Sequence, residues 1–201
     1  MPIDRRDPAT RNTHSRGRCH LYVLPCAWED LLKLGFSRDP LARMQQLHPR
    51  WFEFFDLDRA FAIETETVPD ARKLELRHRR LLEAHNAPAP LTVRDDAGGK
   101  REWYRGAYAQ LADAALELRD AGHVVHAPLR TWARHALEQR ADLLYSWTTA
   151  MLDVDALSAP SWTPPPAQRT VRDALDAYDA LGVELAPWLP PAVLDWHARL
   201  R

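Results

Sequence analysis

Two short apolar runs joined through a proline, followed at once by an Asp-Pro helix start, restrict residues 19–47 more tightly than any other part of the chain. His20-Leu21-Tyr22-Val23-Leu24 ends at Pro25, and Leu31-Leu32-Lys33-Leu34-Gly35-Phe36 leads into Ser37-Arg38-Asp39-Pro40. Runs of this length around a breaker read as paired strands, so a β-hairpin is expected. Asp39 suits the N-cap, and Pro40 at the first helical position gives up no hydrogen bond, so a helix should begin there. Leu41, Met44, Leu47 and His48 recur at three- and four-residue intervals and define its buried ridge, with Arg43 off that ridge. Tyr22, Lys33 and Arg43 then sit on three neighbouring elements. Such a group calls for an anionic partner.

With 201 residues and 46% hydrophobic content, the chain can build a core for one medium domain or two small ones. Its formal net charge of −1 carries no nucleic-acid signature. The halves differ: residues 1–106 hold 19 Lys+Arg against 16 Asp+Glu, and residues 107–201 hold 8 against 12. This asymmetry places any phosphate-binding surface on the first half. Cys19 and Cys26 flank the first strand without forming a disulfide framework. A zinc reading through Cys19, His20 and Cys26 lacks a fourth ligand at customary spacing. The polar, Arg-rich start and the lack of a long apolar span argue against a signal peptide or membrane segment, so a cytoplasmic protein is expected.

Residues 1–18 lack apolar periodicity and read as a disordered, mildly basic arm. The aromatic run after His48-Pro49 suggests a third strand within 52–64. Thr67, Pro69 and Asp70 mark a helix start, with Ala71, Leu74, His78, Leu81 and Leu82 on its buried face and Glu75 at the margin. Asn86-Ala87-Pro88-Ala89-Pro90 breaks that helix, and 95–100 is a turn-rich loop. Glu102-Trp103-Tyr104 follows, an aromatic pair placed to close a core. From Ala107 the chain becomes Ala- and Leu-rich. A helix with Leu111, Ala114, Ala115 and Leu118 ends at Gly122, and a second is expected from Leu129 to Asp153. A Pro-rich linker at 158–166, a helix over Val171–Leu181 and a short closing helix through Trp196 complete a Trp-rich, α-helical region spanning 107–201.

Leu21-Tyr22-Val23, Lys33-Leu34-Gly35 and Arg43, with Glu75 on a later helix and Asn86 beyond it, together resemble the GIY-YIG endonuclease superfamily over residues 19–106. The Glu-Trp-aromatic motif is similar to one in its phage-related branch. Two departures stand out: the glycine of the first triplet is not in its usual place, and the tyrosine of the second is Lys33. The resemblance implies an α/β (α+β) fold, with a small three-stranded, mainly antiparallel sheet flanked by helices. It also implies a metal-dependent hydrolase cutting DNA phosphodiester bonds, with Tyr22, Lys33, Arg43 and Glu75 catalytic. Glu75 would hold Mg²⁺ (or Mn²⁺), and Asn86 and His78 would contact substrate.

The chemistry is coherent. Phosphodiester hydrolysis needs an activated water, neutralised phosphate charge and help for the leaving oxygen. Mg²⁺ accepts one protein carboxylate with phosphate oxygens and water, and arginine offers phosphate a two-pronged fork. A phenol, with an ordinary pKa of about 10, needs a nearby cation before it can act as a base, and Lys33 is a candidate. Plainer roles exist for each residue: Tyr22 as a core tyrosine, Lys33 and Arg43 as solvated cations, Glu75 as an i,i+4 partner of Arg79, His78 as packing, Asn86 as a turn residue. Two rival functions therefore stand beside the nuclease. One is a DNA-binding module without turnover (with RNA as a possible ligand). The other is a protein–protein adaptor working through residues 107–201.

Overall fold

The computed structural model describes residues 16–154, 157 and 165–200. The hairpin forms as expected. Strand β1 (Arg16–Pro25) pairs antiparallel with β2 (Leu31–Ser37), with Tyr22 opposite Gly35 and Leu24 opposite Lys33. Helix α1 (Pro40–Leu47) starts where Asp39 Oδ1 accepts from Ala42 N at 3.0 Å, and it buries Leu41, Met44 and Leu47. The expected disordered arm at 1–18 falls mostly outside the described residues, and Arg16–Arg18 open β1.

The aromatic run does not form the third strand. Trp51–Phe54 is a one-turn helix, α2, and β3 runs later, over Phe61–Thr67. Trp51, Phe52 and Phe55 are buried, and bulky aromatics gain that burial in a turn as readily as in a strand, so their presence could not fix the conformation. Helix α3 (Val68–Leu81) follows, capped by Thr67 Oγ1, which accepts from Asp70 N at 3.3 Å.

The sheet has six strands, not three. Short β4 (Asn86–Ala87), β5 (Trp103–Arg105) and β6 (Val125–His126) extend the sheet in the order β4-β5-β2-β1-β3-β6, every neighbouring pair antiparallel. Strands of two or three residues show no readable alternation. Their pairing depends on the longer strands beside them.

One sheet face carries Leu21, Val23, Leu32, Leu34, Phe61, Ile63 and Tyr104, packed with Leu82 and with Leu111 and Ala115 of α4 (Tyr108–Asp120). Alternation along the strands places His20, Tyr22 and Lys33 on the other face. The mixed α/β class stands, built on one antiparallel sheet with eight α-helices among the described residues.

The chain divides into two compact units, 1–130 and 131–201, with α4 and β6 in the first. The single helix expected over 129–153 is interrupted: α5 covers Leu129–Glu138, a 3₁₀ turn Ala141–Leu143, and α6 Leu144–Met151. Helices α7 (Pro166–Ala180) and α8 (Pro191–Ala198) bury Val171, Leu175, Val193 and Trp196 within the second unit. Most of the expected 158–166 linker lies outside the described residues. No described helix is long and apolar enough to cross a membrane.

Candidate active site

Four of the six residues singled out from the sequence belong to one connected group. Tyr22 projects from the centre of β1 across the backbone of β2. A Cβ built on Gly35 would lie 2.5 Å from its hydroxyl oxygen and 2.8 Å from Cζ, so the ring needs a glycine opposite it. Arg43 comes off the solvent side of α1 and donates from Nε to the Tyr22 oxygen at 3.4 Å. Its other donors reach Gln46 Oε1 at 3.2 Å, the carbonyl of Ala97, and that of Gly98 at 3.5 Å.

Lys33 is almost wholly enclosed, its side chain 1% exposed. Its Nζ donates to the Gly99 carbonyl and to Glu102 Oε2, each at 2.7 Å, and lies 5.8 Å from the centre of the Trp103 ring. Burial pushes its pKa down to about 8, against the opposing pull of Glu102, and Arg43 adds to the depression. The ammonium is therefore held near its titration point at physiological pH.

Glu75 completes the group from α3. Arg79, one turn later, donates from Nη1 to Glu75 Oε1 at 3.3 Å and lies 3.6 Å from Glu102 Oε1. One guanidinium therefore bridges two carboxylates, and the second of these holds Lys33. Burial raises the Glu75 pKa above the usual carboxylate range; Arg79 opposes this and Glu102 adds to it. Three cations and two carboxylates share one enclosed region. The 97–99 segment is its cover, its three carbonyls set on Arg43 and Lys33.

Gly99 makes that cover possible. It has φ +66°, and a Cβ there would lie 2.7 Å from Lys33 Nζ, 2.7 Å from Glu102 Oε2 and 3.0 Å from Arg43 Nη2. The other two candidates turn elsewhere. The Asn86 amide donates to the Arg101 carbonyl at 2.7 Å and the Trp103 carbonyl at 3.2 Å, fastening β4 to β5. His78 places Nδ1 2.8 Å from the Leu74 carbonyl of its own helix. Glu102 and Arg79 were not picked out as site residues. Their signals were slight: a carboxylate before an aromatic pair, and an arginine four residues beyond a glutamate.

The donor set fits a divalent cation of the Mg²⁺ class. Glu75 and Glu102 are hard oxygen donors close enough to share one positive charge, and Mg²⁺ needs only one or two carboxylates beside water and phosphate.

Residues 20–119, about half the chain, match the T5orf172 domain family. This match corrects the resemblance to the GIY-YIG superfamily drawn from the short triplets. Leu21-Tyr22-Val23 and Lys33-Leu34-Gly35 lie on the paired strands of a buried hairpin, and short triplets of that kind arise in many covered hairpins. No curated protein and no solved structure matches the chain. The T5orf172 match is consistent with a nuclease-like or DNA-binding role.

Proposed function

We propose that the first unit is a metal-dependent endonuclease hydrolysing DNA phosphodiester bonds, with Tyr22, Lys33, Arg43 and Glu75 as its catalytic residues and Glu102 and Arg79 as their partners. The observation that supports this most directly is the set of oxygens already held by the cations. Arg43 and Lys33 bind three backbone carbonyls of residues 97–99, the contacts that phosphate oxygens would take once the segment is displaced. Charged acceptors make stronger hydrogen bonds than neutral ones, so a phosphodiester competes well for those donors.

In this reading Arg43 grips the scissile phosphate through its fork while its Nε keeps the Tyr22 hydroxyl in place. Tyr22 orients the attacking water with its oxygen and, in the phenolate form that the Arg43 guanidinium favours, takes up its proton. Lys33 neutralises charge as it builds on the phosphoryl oxygens and can hand a proton to the leaving oxygen, a role that suits a pKa near 8. Glu75, with Glu102 beside it, would hold Mg²⁺ or Mn²⁺, which supplies Lewis-acid stabilisation of the phosphate. Arg79 is a positioning residue: it keeps the two carboxylates together when no other cation is present.

A second reading has one observation in its favour. Arg79 already provides the charge between Glu75 and Glu102 that a metal would bring, as expected of a DNA-binding module without turnover. A cleavage assay on plasmid and linear DNA with Mg²⁺ or Mn²⁺ separates the two, with wild type run beside Glu75→Gln. The nuclease reading expects cutting that Glu75→Gln abolishes. Salt-sensitive binding without cutting under either metal would establish the binding module instead.

A further inference from the structure

A separate group of side chains lies on neighbouring strands of the same sheet. His20 on β1 stands opposite Glu64 on β3, and His126 on β6 pairs with Ala62, two residues before Glu64. Alternation puts all three side chains on one face, and the small Ala62 between them leaves room for two imidazoles. His126 Nε2 is 2.9 Å from Glu64 Oε1, and His20 Nε2 is 4.0 Å from the same oxygen. One candidate ligand atom from each residue lies within 4.8 Å of the other two.

We propose that His20, Glu64 and His126 bind one zinc ion, with water in the fourth position. The inference is independent of the phosphodiesterase reading. Tetrahedral zinc, with bonds of about 2.0–2.2 Å, holds its ligand atoms roughly 3.3–3.5 Å apart. The three strands supply a fixed backbone, and rotation of the side chains would bring ligand atoms now within 4.8 Å of one another to that spacing. Two imidazoles and one carboxylate suit zinc better than Mg²⁺ or Ca²⁺, which favour all-oxygen sites. Arg18 Nη1 sits 3.3 Å from Glu64 Oε2, which keeps Oε1 turned toward the histidines, as outer partners of metal ligands commonly do. The Glu64 and His126 side chains are 19% and 24% exposed, which gives the ion a way in and leaves space for the water.

The test uses the full-length protein. It is incubated with Zn²⁺ and desalted, and its metal content is measured by mass spectrometry. Co²⁺ absorption then reports the coordination geometry, and thermal unfolding is followed with Zn²⁺ and with chelator. The expected result is one zinc per chain, a tetrahedral Co²⁺ spectrum and a melting temperature that chelation lowers. His126→Ala and Glu64→Gln should both lose the zinc, whereas Glu75→Gln should keep it. His126 lies on a two-residue edge strand, so its substitution leaves the core intact. If circular dichroism shows otherwise, His126→Gln replaces it. No retained zinc, or zinc retained undiminished by both substitutions, overturns the proposal and leaves three side chains joined only by hydrogen bonds.

Discussion

Lys33 and Glu102, sixty-nine residues apart, meet at 2.7 Å where the ammonium is closed off from solvent, and the same carboxylate reaches on to Arg79 and thereby to Glu75. This pair joins the hairpin to α3 and turns four scattered residues into a single electrostatic unit.

In the proposed nuclease, Lys33 should set the alkaline limit of activity. With its pKa down at about 8 in the folded protein, it is protonated below that pH and neutral above it. The kcat/KM for DNA cleavage should therefore fall as pH rises through about 8, and Lys33→Arg should remove that limb from the profile. The stability sign is the reverse. A lysine with a depressed folded pKa destabilises the fold fully below about 8, and the cost is relieved between about 8 and the ordinary 10.5. Urea midpoints measured across that window should show the relief.

Glu75 should show a trade of stability for function. Its pKa is raised by burial, so the ionised form is disfavoured by folding at every pH above the folded pKa, and the penalty fades as pH drops below it. Glu75→Gln should raise the melting temperature at neutral pH while abolishing metal-dependent cutting. A lower melting temperature would show that the Arg79 pair outweighs desolvation.

Arg79→Ala should leave two neighbouring carboxylates without their shared cation. We expect a loss of about 1–3 kcal/mol in metal-free buffer, measured by denaturant unfolding. Millimolar Mg²⁺ should restore part of it by replacing the missing charge. Equal loss with and without Mg²⁺ would argue that no metal sits between Glu75 and Glu102.

Gly35→Ala should act on Tyr22 without touching a charged group. The new methyl meets the phenol ring well inside van der Waals distance, so the ring must shift, which should disturb its contact with Arg43 Nε. Overpacking of this kind costs about 1–3 kcal/mol. Cleavage should fall well beyond what the stability loss explains, while DNA affinity changes little because Arg43 and Lys33 remain.

The hairpin, the Asp39 cap, α1 and the start of α3 were legible in the chain because each rests on a local rule: alternation, a breaker, a capping side chain. The third strand expected within 52–64 begins only at Phe61, and Trp51–Phe54 is helical, because aromatic bulk marks burial and not backbone conformation. β4, β5 and β6 were invisible because their few residues form strands only by pairing with neighbours far away in sequence.

Composition and spacing by themselves determined that Tyr22, Lys33, Arg43 and Glu75 are polar groups set on apolar elements, each able to face a cleft. The tertiary structure alone decided which of them meet. Glu102 arrives beside Lys33 only because β5 pairs with β2, and the carbonyls of Ala97 and Gly98 reach Arg43, and that of Gly99 reaches Lys33, only because Gly98 and Gly99 turn the chain back over the sheet at positive φ. Local sequence encodes torsional preference and burial over a few residues. A site assembled from β1, β2, α1, α3 and a loop depends on long-range pairing, which no short window of sequence contains.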